Sequence, residues 1–208
     1  MSGRYSLHHL PQHWQDCAAD SCPAFLPRWN IAPNQQVLLL RQHGCAVQLL
    51  PALWGFTPAW SKDFSRVITH ARTETLAEQR FFADALARQR GVLPATGFYE
   101  WRGQAQTRKQ PYWLSRKGEL LYMAALWEPY AVVGQEYLSA ALLTVQAAYL
   151  RRPLLLAETE LAEWMDPATP MERIQALLNG GGLALQERKV STLVNDPQQD
   201  GSECIRPI

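Results

Sequence analysis

The sequence lacks long apolar segments and carries almost no net charge. No stretch approaches the roughly 18 consecutive apolar residues that a membrane helix needs. Residues 1–6 lack the apolar core of a signal peptide, so we expect a cytoplasmic protein without a membrane partner. The 20 Lys and Arg residues are balanced by 19 Asp and Glu residues, so a nucleic-acid surface would need local segregation of charge rather than overall excess.

The sequence also contains no repeat, no low-complexity tract and no linker rich in Gly, Ser or Pro. We therefore expect one domain over residues 1–208, with a substantial core because 47% of the residues are apolar. In the cytosol its four cysteines, Cys17, Cys22, Cys45 and Cys204, should be reduced thiols.

Histidine and cysteine recur near the N-terminus at a spacing that can bind zinc. His9, His13 and Cys17 are four residues apart and would share one face of a helix. Pro11 would disturb that helix, and Cys22 is poorly spaced for a compact site. A helix with surface histidines is the simpler interpretation, so we predict no metal site.

Short β-rich segments flanked by turn-forming residues dominate the chain. They are Gln36–Arg41, Ala46–Leu50, Arg66–Thr69, Pro111–Leu114, Leu120–Leu126, Leu138–Val145 and Leu154–Ala157. Strands and helices do not alternate as βαβ units. The pattern predicts an α+β fold, a single compact domain with a mainly antiparallel, barrel-like β-sheet and flanking helices.

Three helices have recognisable signals. Residues Thr75–Glu78 form a capping box ahead of apolar residues at roughly helical spacing. A second helix should begin with Thr169 as N-cap and Pro170 in the first turn, and should stop at the glycines 180–182. A third helix is expected around Glu160–Met165.

Eight short motifs follow one another along nearly the whole chain. They are Met1-Ser2-Gly3-Arg4-Tyr5, Trp29-Asn30-Ile31-Ala32-Pro33, Leu53-Trp54-Gly55-Phe56-Thr57-Pro58-Ala59-Trp60, His70-Ala71-Arg72-Thr73-Glu74-Thr75, Gly97-Phe98-Tyr99-Glu100-Trp101, Lys109-Gln110-Pro111-Tyr112, Arg151-Arg152-Pro153 and Val194-Asn195-Asp196-Pro197. Any one motif is weak, but the ordered set is specific. It resembles the SOS-response-associated peptidase (SRAP) family.

The resemblance implies a basic groove for single-stranded DNA and recognition of abasic sites, often at junctions between single and double strands. In the family, removal of the first methionine exposes a cysteine whose amine and thiol trap the ring-opened sugar as a stable thiazolidine crosslink. The peptidase label refers to self-removal of the N-terminal segment and to a proposed proteolytic role. The expected partner is therefore single-stranded DNA or a junction with an abasic site, bound by a monomer without a cofactor.

Ser2 stands where the family has its catalytic cysteine. A small second residue generally permits removal of Met1, and a free α-amine with a pKa of ~7.7–8.0 is partly neutral and nucleophilic at physiological pH. Such an amine could form an imine with an aldehyde. A serine hydroxyl needs an adjacent base to act as a nucleophile, so ring closure would give a more readily hydrolysed oxazolidine. An ordinary exposed N-terminus is the alternative.

Glu100, between Tyr99 and Trp101, matches the family's acidic residue. Aromatic neighbours should partly desolvate the carboxylate, which suits proton transfer. An ion pair at a strand edge is the alternative interpretation.

Two further positions depart from the family. His70 stands where the family usually has asparagine, and Tyr149 and Leu150 precede Arg151 where the family carries a histidine before its Arg-x-Pro segment. His70 is a candidate to replace part of that proton-transfer role, since imidazole titrates near neutral pH. A histidine without a catalytic role is the alternative.

The resemblance also implies a set of residues that contact DNA. They are Arg4, Trp60, Arg72 and Arg151; Arg152 would add charge beside them, and Asn30 and Thr144 offer neutral hydrogen bonds. Arginine suits bidentate phosphate contact, and an exposed tryptophan suits stacking against bases. Trp54 is expected in the core, and an isolated arginine is more often solvated surface.

Three functions remain open from the sequence. The first is a protein that engages single-stranded or abasic DNA, with a reversible Ser2 imine that could lead to strand cleavage by β-elimination. The second is a DNA-binding module without chemistry. The third is a hydrolase in which Ser2 acts as an N-terminal nucleophile on peptide bonds.

Overall fold

The computed structural model describes residues 3–61, 67–103, 109–148, 150–180 and 182–208. Within these ranges the chain forms thirteen strands and four α-helices. The strands are β1 Tyr5–Leu7, β2 Arg28–Ile31, β3 Gln36–His43, β4 Ala46–Trp54, β5 His70–Arg72, β6 Arg90–Ala95, β7 Gly97–Arg102, β8 Gln110–Ser115, β9 Leu121–Val132, β10 Gln135–Ala147, β11 Leu150–Pro153, β12 Leu155–Leu156 and β13 Gln186–Lys189. The helices are α1 Gln12–Gln15, α2 Ala83–Arg88, α3 Leu161–Met165 and α4 Met171–Asn179.

Five strands close into a barrel. Strand β3 pairs antiparallel with β4 and β6, β6 pairs with β9, and β9 pairs with β10. A short parallel pairing of Ser139 with Leu53 and Ala140 with Trp54 joins β10 to β4 and completes the ring. Closure leaves no free edge in this ring, and it confirms the predicted α+β fold with a barrel-like, mainly antiparallel sheet.

A second sheet carries the N-terminal strand in its interior. Its strand order is β13-β8-β7-β1-β2, and every pairing in it is antiparallel. Tyr5 pairs with Phe98 and Ser6 with Gly97, so β1 lies directly beside β7. The backbone N–H of Tyr99 donates to the carbonyl of Arg4 at 3.0 Å, which continues this pairing towards the N-terminus.

Five of the seven predicted strands are present, and each extends beyond its predicted segment. The sequence placed one strand at Arg66–Thr69, but Arg66 lies outside the described residues and β5 begins only at His70. Ile68 instead forms an isolated antiparallel bridge with Phe56. The predicted strand at Leu154–Ala157 is reduced to the two residues of β12.

The helix predicted from Thr75 is divided. Residues Thr73–Glu78 form a 3-10 helix, and the α-helix begins only at Ala83. Phe81 and Phe82 are consecutive, and both rings pack on Phe56 with centroids 5.9 and 5.1 Å away. Consecutive residues of an α-helix are about 100° apart around its axis, so a continuous helix could not turn both rings to one partner.

The other two predicted helices are present, but the prediction that Thr169 is the N-cap of the later one is wrong, because Pro170 takes that position and the Thr169 hydroxyl donates to the carbonyl of Glu163 at 2.7 Å. Helix α4 begins after Pro170 and ends at Gly180, and α3 lies within the expected range. Near the N-terminus, α1 begins only after Pro11, so His9 precedes it. All four cysteines are free thiols, as predicted. Among the described residues no helix has the length and apolar content to cross a membrane.

Arg90 joins two helices to the barrel from within the core. Its side chain is buried, and its guanidinium donates to the carbonyls of Leu86 and Ala87 near the end of α2, at 2.7 Å each. It also donates to the carbonyl of Trp164 at 2.7 Å and to that of Asp166, at the end of α3. These carbonyls have no partner within their own helices, so one arginine satisfies both helix ends.

Candidate functional site

Strand β7 positions Glu100 by simple alternation. Successive side chains of a strand point to opposite faces, so Glu100 and Arg102 share one face and Tyr99 and Trp101 the other. The Tyr99 hydroxyl donates to the carbonyl of Trp29 at 2.6 Å on that second face. The flanking aromatic residues therefore do not contact the Glu100 carboxylate from its own face of the strand, although Trp101 lines the same cavity.

Two arginines surround Glu100 instead. Its side chain is 2% exposed. The guanidinium of Arg102 donates to Oε2 at 2.7 and 3.1 Å, and that of Arg152 donates to Oε1 at 2.5 Å and to Oε2 at 3.3 Å. Charged hydrogen bonds of this kind are the compensation that a buried carboxylate requires. Because Arg152 belongs to β11 and Glu100 to β7, the pair also connects the two sheets.

A second carboxylate lies on the outer side of these arginines. Glu187, on β13, accepts hydrogen bonds from Arg102 at 2.6 and 2.7 Å, and its Oε1 is 3.5 Å from Arg152. The side chain of Glu187 is 41% exposed. Hydrogen bonding to Arg102 lowers the pKa of Glu187, against a smaller opposing effect of desolvation. We call Glu100, Arg102, Arg152 and Glu187 the Glu–Arg cluster.

The Glu–Arg cluster lines a cavity of about 720 Å³ between the ends of the two sheets. Trp101, Lys109 and Leu150 also line it. A second cavity of about 410 Å³ has Ala147 and Arg152 in common with the first and extends to Thr73 and Glu74. The two cavities form a cleft large enough for a nucleotide-sized group, with basic side chains on its wall.

Arg151 lies beside this cleft and is fixed by neighbouring residues. It donates to Oγ1 of Thr144 at 3.1 Å, to the carbonyl of Thr144 at 2.7 Å and to Glu74 at 2.6 Å. Glu74 also accepts the backbone N–H of Gln146 at 3.0 Å. Thr144 is buried, so it positions Arg151 rather than presenting its own hydroxyl at the surface.

Strand β5 brings Arg72 and His70 to the same region. Arg72 pairs with Thr144 of β10 in a parallel register and is exposed. His70 packs its ring edge-on against Trp54, with centroids 5.4 Å apart, and its Nδ1 is 2.9 Å from the Thr69 hydroxyl. Trp54 is buried in the core, as predicted.

Arg4 and Asn30 both bind the backbone of the C-terminal segment 194–200. Arg4 donates to the carbonyls of Val194 and Asn195 at 2.8 and 3.2 Å, and to Oδ1 of Asn30 at 3.0 Å. Asn30 is fully buried, and its Nδ2 donates to the carbonyls of Val194, Asp196 and Gln199. These contacts give both residues a structural role, and direct DNA contact by either stays a prediction.

Trp60 is the exposed aromatic residue among the predicted DNA contacts. Its side chain is 68% exposed and packs edge-on against Phe81, with ring centroids 5.6 Å apart. The indole is therefore largely accessible, and its stacking on a base stays a prediction.

A profile of the family described as "SOS response associated peptidase (SRAP)" matches residues 1–197. This chain belongs to the SRAP family. A relative named "Abasic site processing protein YoqW", from Bacillus subtilis, is 30% identical over 86% of this chain and 85% of its own length. The "Abasic site processing protein YedK" of Escherichia coli is 28% identical over the full length of both chains. A solved structure of a protein from Bacteroides thetaiotaomicron covers 100% of this chain and 97% of its own, with a TM-score of 0.75 and 16% identity, which shows the fold.

Ser2, which the sequence analysis predicts to stand at the SRAP cysteine position, lies outside the described residues, as does Tyr149. The described part of the N-terminal strand nevertheless has a clear direction. Tyr5 pairs with Phe98, and the Arg4 carbonyl bonds to Tyr99. The same antiparallel register, continued by one residue, sets Gly3 opposite Glu100.

Two members of the Glu–Arg cluster were missed by the sequence analysis. Arg102 had a usable signal, because a residue two positions after Glu100 on a strand shares its face. Glu187 had none, since the segment Gln186–Lys189 is uniformly polar and gives no alternating pattern. The described residues contain no group of three or more His, Cys, Asp or Glu side chains that could hold a metal.

Proposed function

We propose that this SRAP protein binds DNA at abasic sites, as single strands or at junctions between single and double strands. The observation that carries the proposal is the buried Glu100 carboxylate, held by Arg102 and Arg152 in a cleft beside the N-terminal strand. The relatives named as abasic site processing proteins support the choice of DNA. We expect a cytoplasmic monomer that binds one DNA lesion.

The basic side chains along the cleft supply the phosphate contacts in this proposal. Arg72 is exposed, and Arg151 and Arg152 follow each other on β11, where Thr144 and Glu74 fix the guanidinium of Arg151. Guanidinium groups that are already positioned lose less side-chain entropy when they bind phosphate oxygens. The exposed face of Trp60 would stack on a base, a contact worth ~1–3 kcal/mol.

We further propose that the α-amine of Ser2 reacts reversibly with the ring-opened sugar. The amine nitrogen attacks the C1 aldehyde carbon, a C–N bond forms, and water leaves to give an imine. We assign proton transfer to Glu100, with His70 as a second candidate. The Ser2 hydroxyl lacks the acidity of a thiol, so a closed oxazolidine would reopen and a stable crosslink would not accumulate.

The alternative is a DNA-binding protein that performs no chemistry. One observation favours it: the Glu100 carboxylate already accepts four hydrogen bonds from Arg102 and Arg152. A carboxylate whose oxygens already hold two guanidinium groups has a structural role that requires no chemistry.

Borohydride trapping with abasic single-stranded DNA tests both parts of the proposal, the binding of abasic DNA and the formation of an imine. We expect tighter binding to abasic than to intact DNA, a crosslink with reductant, and little denaturation-resistant crosslink without it. Intact mass establishes removal of Met1, which the imine requires. If the protein binds abasic DNA but is not trapped by reductant, only the alternative without chemistry remains. If it shows no preference for abasic DNA, the proposal is wrong.

Ser2→Cys and Glu100→Gln are the matched variants. The cysteine variant should form a crosslink that survives denaturation without reductant, because the thiol can close a thiazolidine ring. Glu100→Gln preserves the side-chain shape and should slow trapping more than it weakens DNA binding. If Ser2→Cys gains no crosslink, the cleft does not orient the sugar beside the N-terminus.

A further inference from the structure

Arg102 and Arg152 lie between the two carboxylates of the Glu–Arg cluster. Glu100 lies beneath them and is buried, whereas Glu187 lies on the outer side and is partly exposed. Glu187 presents both carboxylate oxygens to Arg102, at 2.6 and 2.7 Å. This two-point contact with a guanidinium is the geometry in which arginine also binds the two free oxygens of a phosphodiester.

We propose that Arg102 and Arg152 form a phosphate-binding subsite, and that Glu187 occupies it until a DNA phosphate displaces the carboxylate. The inference rests on the proposed DNA-binding function and adds two residues to that site, Arg102 as a phosphate ligand and Glu187 as its internal competitor. The ligand is a backbone phosphodiester of the bound strand, so the subsite is indifferent to base identity.

Arg102 does not depend on Glu187 for its position. Its guanidinium carbon lies 4.8 Å from the centre of the Tyr112 ring, and it donates to Glu100 at 2.7 Å. Displacement of Glu187 would therefore leave Arg102 in place, with its outer hydrogen-bonding edge open to the cleft. Lys109 lines the same cavity and adds a further positive charge.

Glu187 is able to leave. It lies on β13, which pairs only with β8 among the described strands and is therefore at the edge of its sheet. All four residues of β13 are exposed, so the displaced carboxylate would pass into water without a large desolvation change. With two arginines and two glutamates the cluster is formally neutral. Removal of the Glu187 charge would give it a net charge of +1.

Glu187→Gln is the decisive variant. It keeps the side-chain shape, removes the competing charge, and should tighten binding to abasic single-stranded DNA by about five-fold, the size of one exposed ion pair. The slope of log Kd against log salt should stay nearly the same, because the same phosphate is neutralised in both proteins and only the competing carboxylate is removed. A purely structural role of Glu187 predicts the opposite sign, since a loosened edge strand would weaken binding.

Glu163→Gln is the matched control. It also removes one negative charge from an arginine–glutamate pair, the pair with Arg173, where the distances are 2.7 and 3.1 Å. It should leave affinity and salt slope near those of the unaltered protein. If it tightens binding as much as Glu187→Gln does, overall charge is the cause and the subsite is refuted.

Arg102→Gln completes the test. It should weaken DNA binding, and Glu187→Gln should give no gain when combined with it, because the two residues act on one phosphate. If the unaltered protein binds abasic DNA but Glu187→Gln does not increase the affinity, this inference is wrong and the proposed function still stands. Unaltered protein that does not bind abasic DNA would overturn the proposed function itself. Circular dichroism of each variant verifies folding.

Discussion

Asn30→Ala should show that this residue stabilises the fold rather than touching DNA. The Asn30 amide donates to the carbonyls of Val194, Asp196 and Gln199 at 3.2, 2.9 and 2.8 Å, and its oxygen accepts from Arg4 at 3.0 Å. Truncation removes these bonds from a fully buried position, although the carbonyl of Val194 keeps its bond from Arg4 and that of Asp196 keeps its bond from the Gln199 N–H. Each lost bond lowers the free energy of unfolding by ~1 kcal/mol, and the sum here is about 3 kcal/mol because the three carbonyls share two N–H donors.

A decrease of this size is readily measured. For a chain of this length about 3 kcal/mol corresponds to a fall of roughly 6–12 °C in Tm. Urea unfolding gives the free energy directly, and Asn179→Ala, at an exposed helix end, is the control that should change it by less than about 0.5 kcal/mol. Affinity for abasic DNA, measured well below Tm, should stay within about two-fold because no charge is lost.

The contrary result is equally clear. An Asn30→Ala protein with unchanged unfolding free energy and a ten-fold or larger loss of affinity would show that the amide contacts DNA. It would also show that the segment 194–200 moves aside in the complex, since the amide is covered by that segment in the free protein.

Three further predictions concern stability. Arg90→Met should lower the free energy of unfolding by about 3–5 kcal/mol in urea denaturation, because carbonyls at two helix ends lose their donor, while Arg173→Met, at an exposed arginine, should leave it unchanged. Gly97→Ala should lower it by ~1–3 kcal/mol in the same assay, because the added Cβ would lie 2.5 Å from the Trp113 ring; an unchanged midpoint would mean that the indole can move. Burial lowers the pKa of His8 below its ordinary value of about 6.5, so the unfolded chain binds the proton more readily, and calorimetry should show stability falling as the pH drops from about 7 to about 5. His8→Gln should flatten that part of the profile, and an equally steep profile in the variant would assign the pH dependence to other groups.

The barrel could be predicted because the sequences of several of its strands have a recognisable apolar pattern. The segments that become β9 and β10 contain nearly continuous apolar runs, as expected for strands buried on both faces. Strands β6 and β7 were not predicted, because Gly91, Pro94 and Gly97 interrupt the apolar pattern there. In the structure all three are buried, and an added Cβ at Gly91 or Gly97 would lie 2.8 Å from Leu39 or 2.5 Å from Trp113, so neighbouring residues rather than local propensity require glycine there.

The candidate site was predicted through family resemblance, and its geometry was not. The motif containing Glu100 indicated a carboxylate among aromatic rings, yet alternation along β7 places Tyr99 and Trp101 on the other face, and the hydrogen bonds to the carboxylate come from two arginines. The partner Arg152 lies on another sheet, and Glu187 lies in a segment without any periodic pattern. Contacts between such distant segments depend on how the two sheets meet, which no local pattern in the sequence encodes.

The interior position of β1 has a consequence for the order of events during synthesis. Ser6 and Thr96, which bond to each other at 3.0 Å, are 90 residues apart in the chain. At the usual pace of translation the first of these segments waits roughly 5–20 s for the second to be made. Throughout that interval β1 lacks its β7 neighbour, and only afterwards can Tyr5 and Ser6 pair with Phe98 and Gly97 in the interior of the sheet.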